Sequence, residues 1–270
     1  MNTRIVLACC LILFCAGPLR ALAFQYNQGR NLEVGYTVAD FSYQEPDMEE
    51  DGILQGVTAM YLTQNPEKYF TAFSGRFLYG EVDYDGETWG GTPAQTQGPN
   101  YIAEGRLLLG RRYVRGGISW NPILGFGARY WNDDQESTDT LATYERETIY
   151  YYSPFGAMLG LDLKGNWSTV ISAQYNLVWA GNVTSNFSDI DPKNDDITVY
   201  YPFMGGYGLE SSLRLTLKKG GRSWTLEPYG SYWDFDTSDK QGVLIDGSPA
   251  YLYEPANETL LLGISLKLGF

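Results

Sequence analysis

From about residue 31 onward the chain alternates between apolar and polar positions. At its end Leu260, Leu262, Ile264, Leu266, Leu268 and Phe270 take every second position, with Leu261, Gly263, Ser265, Lys267 and Gly269 between them. A period of two is the mark of a strand with one apolar face and one small or polar face. The same alternation runs through 31–44, 52–64, 69–84, 101–112, 117–131, 148–164, 167–179, 199–218 and 223–235, so that with 260–270 ten strands are predicted. The segment 167–179 is the most regular: Trp167, Thr169, Ile171, Ala173, Tyr175, Leu177 and Trp179 oppose Ser168, Ser172, Gln174 and Asn176. Two segments are less regular. In the first, the phase slips near Asp40, because Phe41 and Tyr43 are odd after Leu32, Val34, Tyr36 and Val38, and a β-bulge is the simplest reading. In the second, Thr58, Met60 and Leu62 compete with Val57, Ala59 and Tyr61 for the apolar face.

The joins alternate as well. Those at 65–68, 113–116, 165–166 and 219–221 are tight, whereas those at 45–51, 85–100, 132–147, 181–198 and 236–258 read as long. Short turns at one end and long loops at the other describe an antiparallel up-and-down β-barrel that crosses a membrane. Trp167 and Trp179 are twelve residues apart on one face. At a rise of ~3.3 Å and a tilt of ~45° they are roughly 28 Å apart along the membrane normal, about the height of an apolar band with an aromatic girdle at each edge. The expected fold is therefore all-β, a transmembrane antiparallel up-and-down barrel of ten strands. Eight is the alternative count, if the ambiguous second segment and a neighbour do not span.

With its aromatic last residue, the 260–270 strand resembles the terminal strand of bacterial outer-membrane β-barrels. That resemblance implies an insertion signal at Leu266, Leu268 and Phe270, read by the barrel-assembly machinery. The strand count is similar to that of the omptin outer-membrane proteases. Their catalysis needs a histidine and this chain has none, so their activity does not carry over.

The N-terminus adds an address. Residues 1–4 are short and basic, 5–16 are apolar, and Ala21-Leu22-Ala23 offers small residues at a cleavage spacing. A signal peptide over 1–23 and a barrel domain over 24–270 are predicted, with transit of the periplasm and an outer-membrane destination. Cys9, Cys10 and Cys15 all fall in the segment expected to be removed, which leaves no thiol for a disulfide or a metal. The absence of histidine excludes Ser-His and Asp-His catalysis and the commonest metal ligand.

Charge is sorted between the two ends. Without Arg4 and Arg20 the chain has 17 basic and 32 acidic residues, so nucleic acid is excluded as a partner. The long joins with their flanks hold 24 of the 32 acidic residues, against only Arg146, Lys193 and Lys240 among the basic ones. The tight turns gather Lys68, Arg111, Arg112, Arg115, Lys164, Lys218, Lys219 and Arg222. Acidic neighbours such as Asp133 with Asp134, or Asp195 with Asp196, sit on solvated segments where nothing suggests the burial that would make a catalytic acid. The stretch 189–196 has the look of a calcium loop. It lacks the central glycine and closing glutamate, and Lys193 stands where a ligand oxygen should be, so no metal site is predicted.

On the polar face of the strands fall Arg76, Glu104, Arg106, Arg129, Asp162, Glu210, Arg214 and Glu227, together with Glu33 and Lys267. In a membrane barrel this face is the lumen, and charges of both signs there are expected to pair into a plug. The expected function is non-enzymatic and without cofactor: a structural or surface-binding barrel embedded in outer-membrane lipid, its acidic loops meeting an extracellular ligand. The alternative is a narrow passive pore for small solutes. Lumen faces rich in Gly and Ser keep that alternative open.

Overall fold

The structure is a computed structural model, and it describes residues 29–65, 68–87, 91–138, 141–245 and 248–270. The signal peptide expected at 1–23 lies outside the described residues. Ten long strands form the wall: β1 (Gly29–Glu45), β2 (Met48–Gln64), β3 (Tyr69–Glu87), β4 (Pro93–Arg111), β5 (Ile118–Asp134), β6 (Glu145–Asp162), β7 (Trp167–Ser185), β8 (Gly206–Lys219), β9 (Arg222–Phe235) and β10 (Asn257–Gly269). Each pairs antiparallel with the next, and β10 returns to pair with β1, so the sheet closes. Closure leaves no unpaired edge, which is what a strand-built wall needs in hydrocarbon. The count is ten, and the uncertain second segment is a full stave with Val57, Ala59 and Tyr61 turned outward.

The outward residues form an apolar band between two aromatic rows. Near the turn end these include Tyr69, Trp120, Trp167, Trp224 and Phe270, all with exposed side chains. Near the loop end the rings touch in short chains: Tyr101 lies 5.6 Å from Tyr130, Tyr151 5.7 Å from Trp179, and Tyr175 5.7 Å from Tyr207. Trp167 and Trp179 thus stand in opposite rows, as their spacing predicts.

The structure departs from the sequence reading at four places. No bulge interrupts β1, which pairs without a break from Glu33 opposite Gly269 to Gln44 opposite Glu258. Phe41 and Tyr43 simply continue the inward face of Glu33 and Thr37, and both are fully buried. The bulge lies instead between β6 and β7, where Tyr151 faces Ala180 and Tyr152 faces Val178, leaving Trp179 without a partner in the ladder. The join read as long at 45–51 is a two-residue turn, because Glu45 already pairs with Met48. At the other end of the eighth segment, Ile197–Tyr200 leaves the wall and pairs with the top of β7, so β8 begins only at Gly206.

The strands also outrun the apolar band. β3 and β4 stay paired up to Glu87 and Pro93, and the last loop carries its own hairpin of Gln241–Ile245 with Ser248–Leu252. This raised rim of strand ends and loops surrounds the mouth of the barrel.

Candidate functional site

Every charged position expected in the lumen does point inward, and at mid-height the structure pairs most of them. Arg76 reaches Glu104 at 2.6 Å and Glu210 at 3.3 Å, while Arg106 reaches Glu104 at 2.8 Å and also holds Glu210. Beside them Arg214 binds Glu33 and Glu227, and Lys267 meets Glu227 at 2.6 Å. Four cations thus face four carboxylates. Tyr152 donates to Glu104 and Gln174 donates to Glu210, filling further lone pairs. The space left between these side chains is a cavity of about 150 Å³, large enough to hold water.

Two of the expected charges stand apart. Asp162 lies toward the turn end in the field of Arg112 and Lys218. Arg129 is fully buried opposite Glu104 in the β4–β5 ladder, and among the described residues none of its three guanidinium nitrogens has a hydrogen-bond partner. Its guanidinium lies instead 5.3 Å from the Trp233 ring and 5.9 Å from that of Tyr150.

Above the ion pairs the lumen is apolar, contrary to the expectation of a polar face throughout. Phe41, Leu54, Leu78, Ile102, Trp131 and Leu261 pack from β1–β5 and β10, and Tyr150, Tyr152, Val178, Trp233 and Phe235 from β6, β7 and β9. Glycine on this face makes space for rings and does not leave a path. A Cβ on Gly208 would stand 2.7 Å from the Trp233 ring, and one on Gly127 would stand 2.3 Å from that of Tyr152. Below the network, Leu62, Phe70, Ala72 and Ile123 form a third apolar layer.

At the mouth sits an arrangement that the sequence reading did not find. Arg146, on β6, is ringed by Glu45 at 2.8 Å, Asp133 at 3.1 Å, Glu254 at 3.4 Å and Glu50 at 3.5 Å. All four fall in stretches that the sequence reads as exposed acidic loops, yet all are turned inward and nearly or wholly buried. Four carboxyl groups around one guanidinium cannot all ionise cheaply. Burial pushes the Glu50 carboxyl well up, with the Asp133 charge adding to the rise and Arg146 opposing it. Burial likewise pushes Glu254 up to about 7, against Arg146 and with Glu45 adding to it. Glu50 lies against Asp133 and Glu254 against Glu45, giving two carboxyl pairs that flank the cation. The Tyr43 and Trp131 rings stand 5.5 and 5.9 Å from the Arg146 guanidinium carbon.

Over this floor opens a vestibule of about 960 Å³, walled by the β3–β4 hairpin and by loop residues between β5 and β6, between β7 and β8, and between β9 and β10. Tyr144 and Phe187 form an aromatic pair on one wall, with ring centroids 4.4 Å apart. Gln135 lies on the floor and donates its amide to Asp133 at 2.7 Å, while its carbonyl oxygen has no partner among the described residues. One sequence signal could have exposed Arg146. It shares the even parity of Thr148, Tyr150 and Tyr152, so carrying the inward face of β6 up by one more pair reaches it.

No family model matches the chain, and no curated protein matches it. Solved structures do. The outer membrane protease OmpT of Escherichia coli is 9% identical, with 91% of this chain and 98% of that chain covered at a TM-score of 0.59. Neisserial surface protein A is 9% identical over 88% of this chain and 95% of that one, at a TM-score of 0.34. Ail of Yersinia pestis is 8% identical over 88% and 99%, at a TM-score of 0.35. At such identities the likeness is one of fold. With its closed ten-strand wall, apolar outer band and paired aromatic rows, the chain is a small β-barrel of the bacterial outer-membrane type.

Proposed function

We propose that the protein is a closed, non-enzymatic barrel of the bacterial outer membrane that works through its loop end as a structural or surface-binding element. The observation that carries this reading is the filled lumen. Mid-height ion pairs, the apolar clusters above and below them, and the carboxyl-ringed Arg146 occupy the bore in succession, while the large free volume lies over the mouth. Barrels of about eight strands are filled by side chains and those of 16–18 hold a channel, so a packed ten-strand bore fits the lower end of that range.

The tight basic turns then face the periplasm and the acidic loops face outside. Outer-membrane lipid covers the apolar band. The outward side chains of Leu266, Leu268 and Phe270 are the signal through which the assembly machinery takes up the last strand. A narrow pore is the competing reading, and the polar cavity of about 150 Å³ at mid-height is what favours it. Conductance of the refolded protein in planar bilayers decides between them. Silence is expected, and discrete steps of reproducible size would overturn the closed-barrel reading.

A further inference from the structure

We propose that the vestibule is a binding site for a small organic cation with an apolar body, seated on Asp133 and Gln135; this rests on the loop-end reading above. Charge is the first argument. Glu45, Glu50, Asp133 and Glu254 share a single guanidinium beneath the floor, and Glu87, Asp195 and Asp196 line the space above. Against these seven carboxyl groups stand Arg146 and, at the wall, Lys193. Even with one proton held in each carboxyl pair the site keeps a negative excess. A second positive charge therefore gains, and an anion is repelled.

The second argument is independent of charge. Gln135 is 7% exposed, lines the vestibule and spends its amide on Asp133, so its carbonyl oxygen is a buried acceptor with no donor among the described residues. Buried polar groups left in this state point to an absent partner, and an acceptor calls for a donor such as an ammonium or amidinium N–H. Asp133 beside it provides the counter-charge.

Shape and lining complete the case. The vestibule's volume of about 960 Å³ suits a small molecule. Leu141, Ile190 and Leu252 add apolar surface to the Tyr144–Phe187 pair, on which an apolar body or the face of a cation can rest. A bare divalent ion fits worse, because it needs about six or more oxygens together and Arg146 already holds the floor carboxylates at 2.8–3.5 Å, whereas an organic cation needs one acceptor within the negative field.

The test uses benzamidinium as the probe, benzoate as its anionic counterpart and Mg²⁺ as the bare cation, by titration calorimetry on the full barrel refolded in detergent. Benzamidinium is expected to bind saturably, while benzoate and Mg²⁺ give no saturable heat. Gln135→Leu and Asp133→Asn are expected to weaken benzamidinium at least tenfold, and Asp195→Asn, at the exposed wall, by a few-fold. Heat-modifiable migration shows that each variant is still a folded barrel. The inference falls if folded parent ignores benzamidinium, if benzoate binds equally well, or if both floor variants bind like the parent. Parallel bilayer recordings keep the two failures apart: a silent barrel that binds no cation sinks only this inference, whereas channel steps sink the reading beneath it.

Discussion

Arg106 on β4 and Glu210 on β8 join across the bore, with Nη2 and Oε1 2.5 Å apart, although the two strands are separated by three others along the wall. Both are about nine-tenths buried, so the pair is a strut between facing walls. Glu210→Ala leaves Arg76 and Arg106 without one of their carboxylates, and breaking a buried pair from one side costs about 3–5 kcal/mol. Urea titration of the refolded barrel should show that loss, and Glu210→Gln should recover part of it through its carbonyl. An unchanged midpoint in Glu210→Ala would mean that the strut adds nothing to the wall.

Arg129 predicts the opposite outcome. A buried cation with no hydrogen-bond partner among the described residues recovers only part of its desolvation cost, from the charge of Glu104 opposite it and from the Trp233 and Tyr150 rings. Arg129→Met should therefore be neutral or stabilising by about 1 kcal/mol. A loss of more than about 2 kcal/mol would show that a bound water or anion satisfies the guanidinium.

Glu254 makes the loop end sensitive to pH. Its folded-state pKa of about 7 lies above the ordinary carboxyl value, so between those values the folded state holds a proton that the unfolded state has released. The stability it contributes is full below about pH 4.5 and is lost as pH rises through about 7. Glu254 also closes the last loop at its base, where its N–H donates to Ser238 Oγ at 2.8 Å. Amide exchange over 236–256, corrected for intrinsic rate, should be slower at pH 5 than at pH 8, with the strand amides unchanged. Glu254→Gln should remove that difference.

The two faces of β8 should differ in tolerance. Leu213 is outward in the apolar band, and a charge near the midplane there costs about 2–4 kcal/mol. Ser212 points into the bore, with its hydroxyl 2.8 Å from that of Ser172 and the mid-height cavity beside it. Leu213→Arg should lower the yield of folded, protease-resistant barrel far more than Ser212→Arg. Equal yields would contradict the assigned faces.

At the seam, the Phe270 N–H donates to the Leu32 carbonyl at 2.9 Å and its ring stays 60% exposed. Deleting Phe270, or replacing it with Asp, should reduce assembly in cells more than deleting a loop residue such as Lys240. Normal barrel levels in both would remove the recognition role from this strand.

Most of the wall was legible because outward faces are uniform: lipid imposes one requirement at every height, so period two is enough to find ten strands. The lumen imposes different requirements at different heights. Phe41 and Tyr43 looked like a slip of phase only because a polar bore was assumed, whereas an apolar layer lies directly above the ion pairs. Glu45, Glu50 and Asp133 looked like loop acids because they lie beyond the apolar band, where outward alternation fades. Their role depends on Arg146 and Glu254, up to about two hundred residues away in the chain. No local pattern encodes a contact at that separation.

The pairing of β1 with β10 also sets an order of events. Val34 meets Leu268 and Asp40 meets Leu262, so the first stave waits for the last one. While β10 is absent, β1 and the advancing edge of the sheet both offer unpaired N–H and C=O groups, and each of the cross-bore struts lacks the rigid frame that holds its ends in reach. Circularisation is thus the closure of a very long loop, a kind of pairing that is intrinsically slow. A chaperone that shields one edge strand until the other arrives would shorten the time during which two copies can zip together in error.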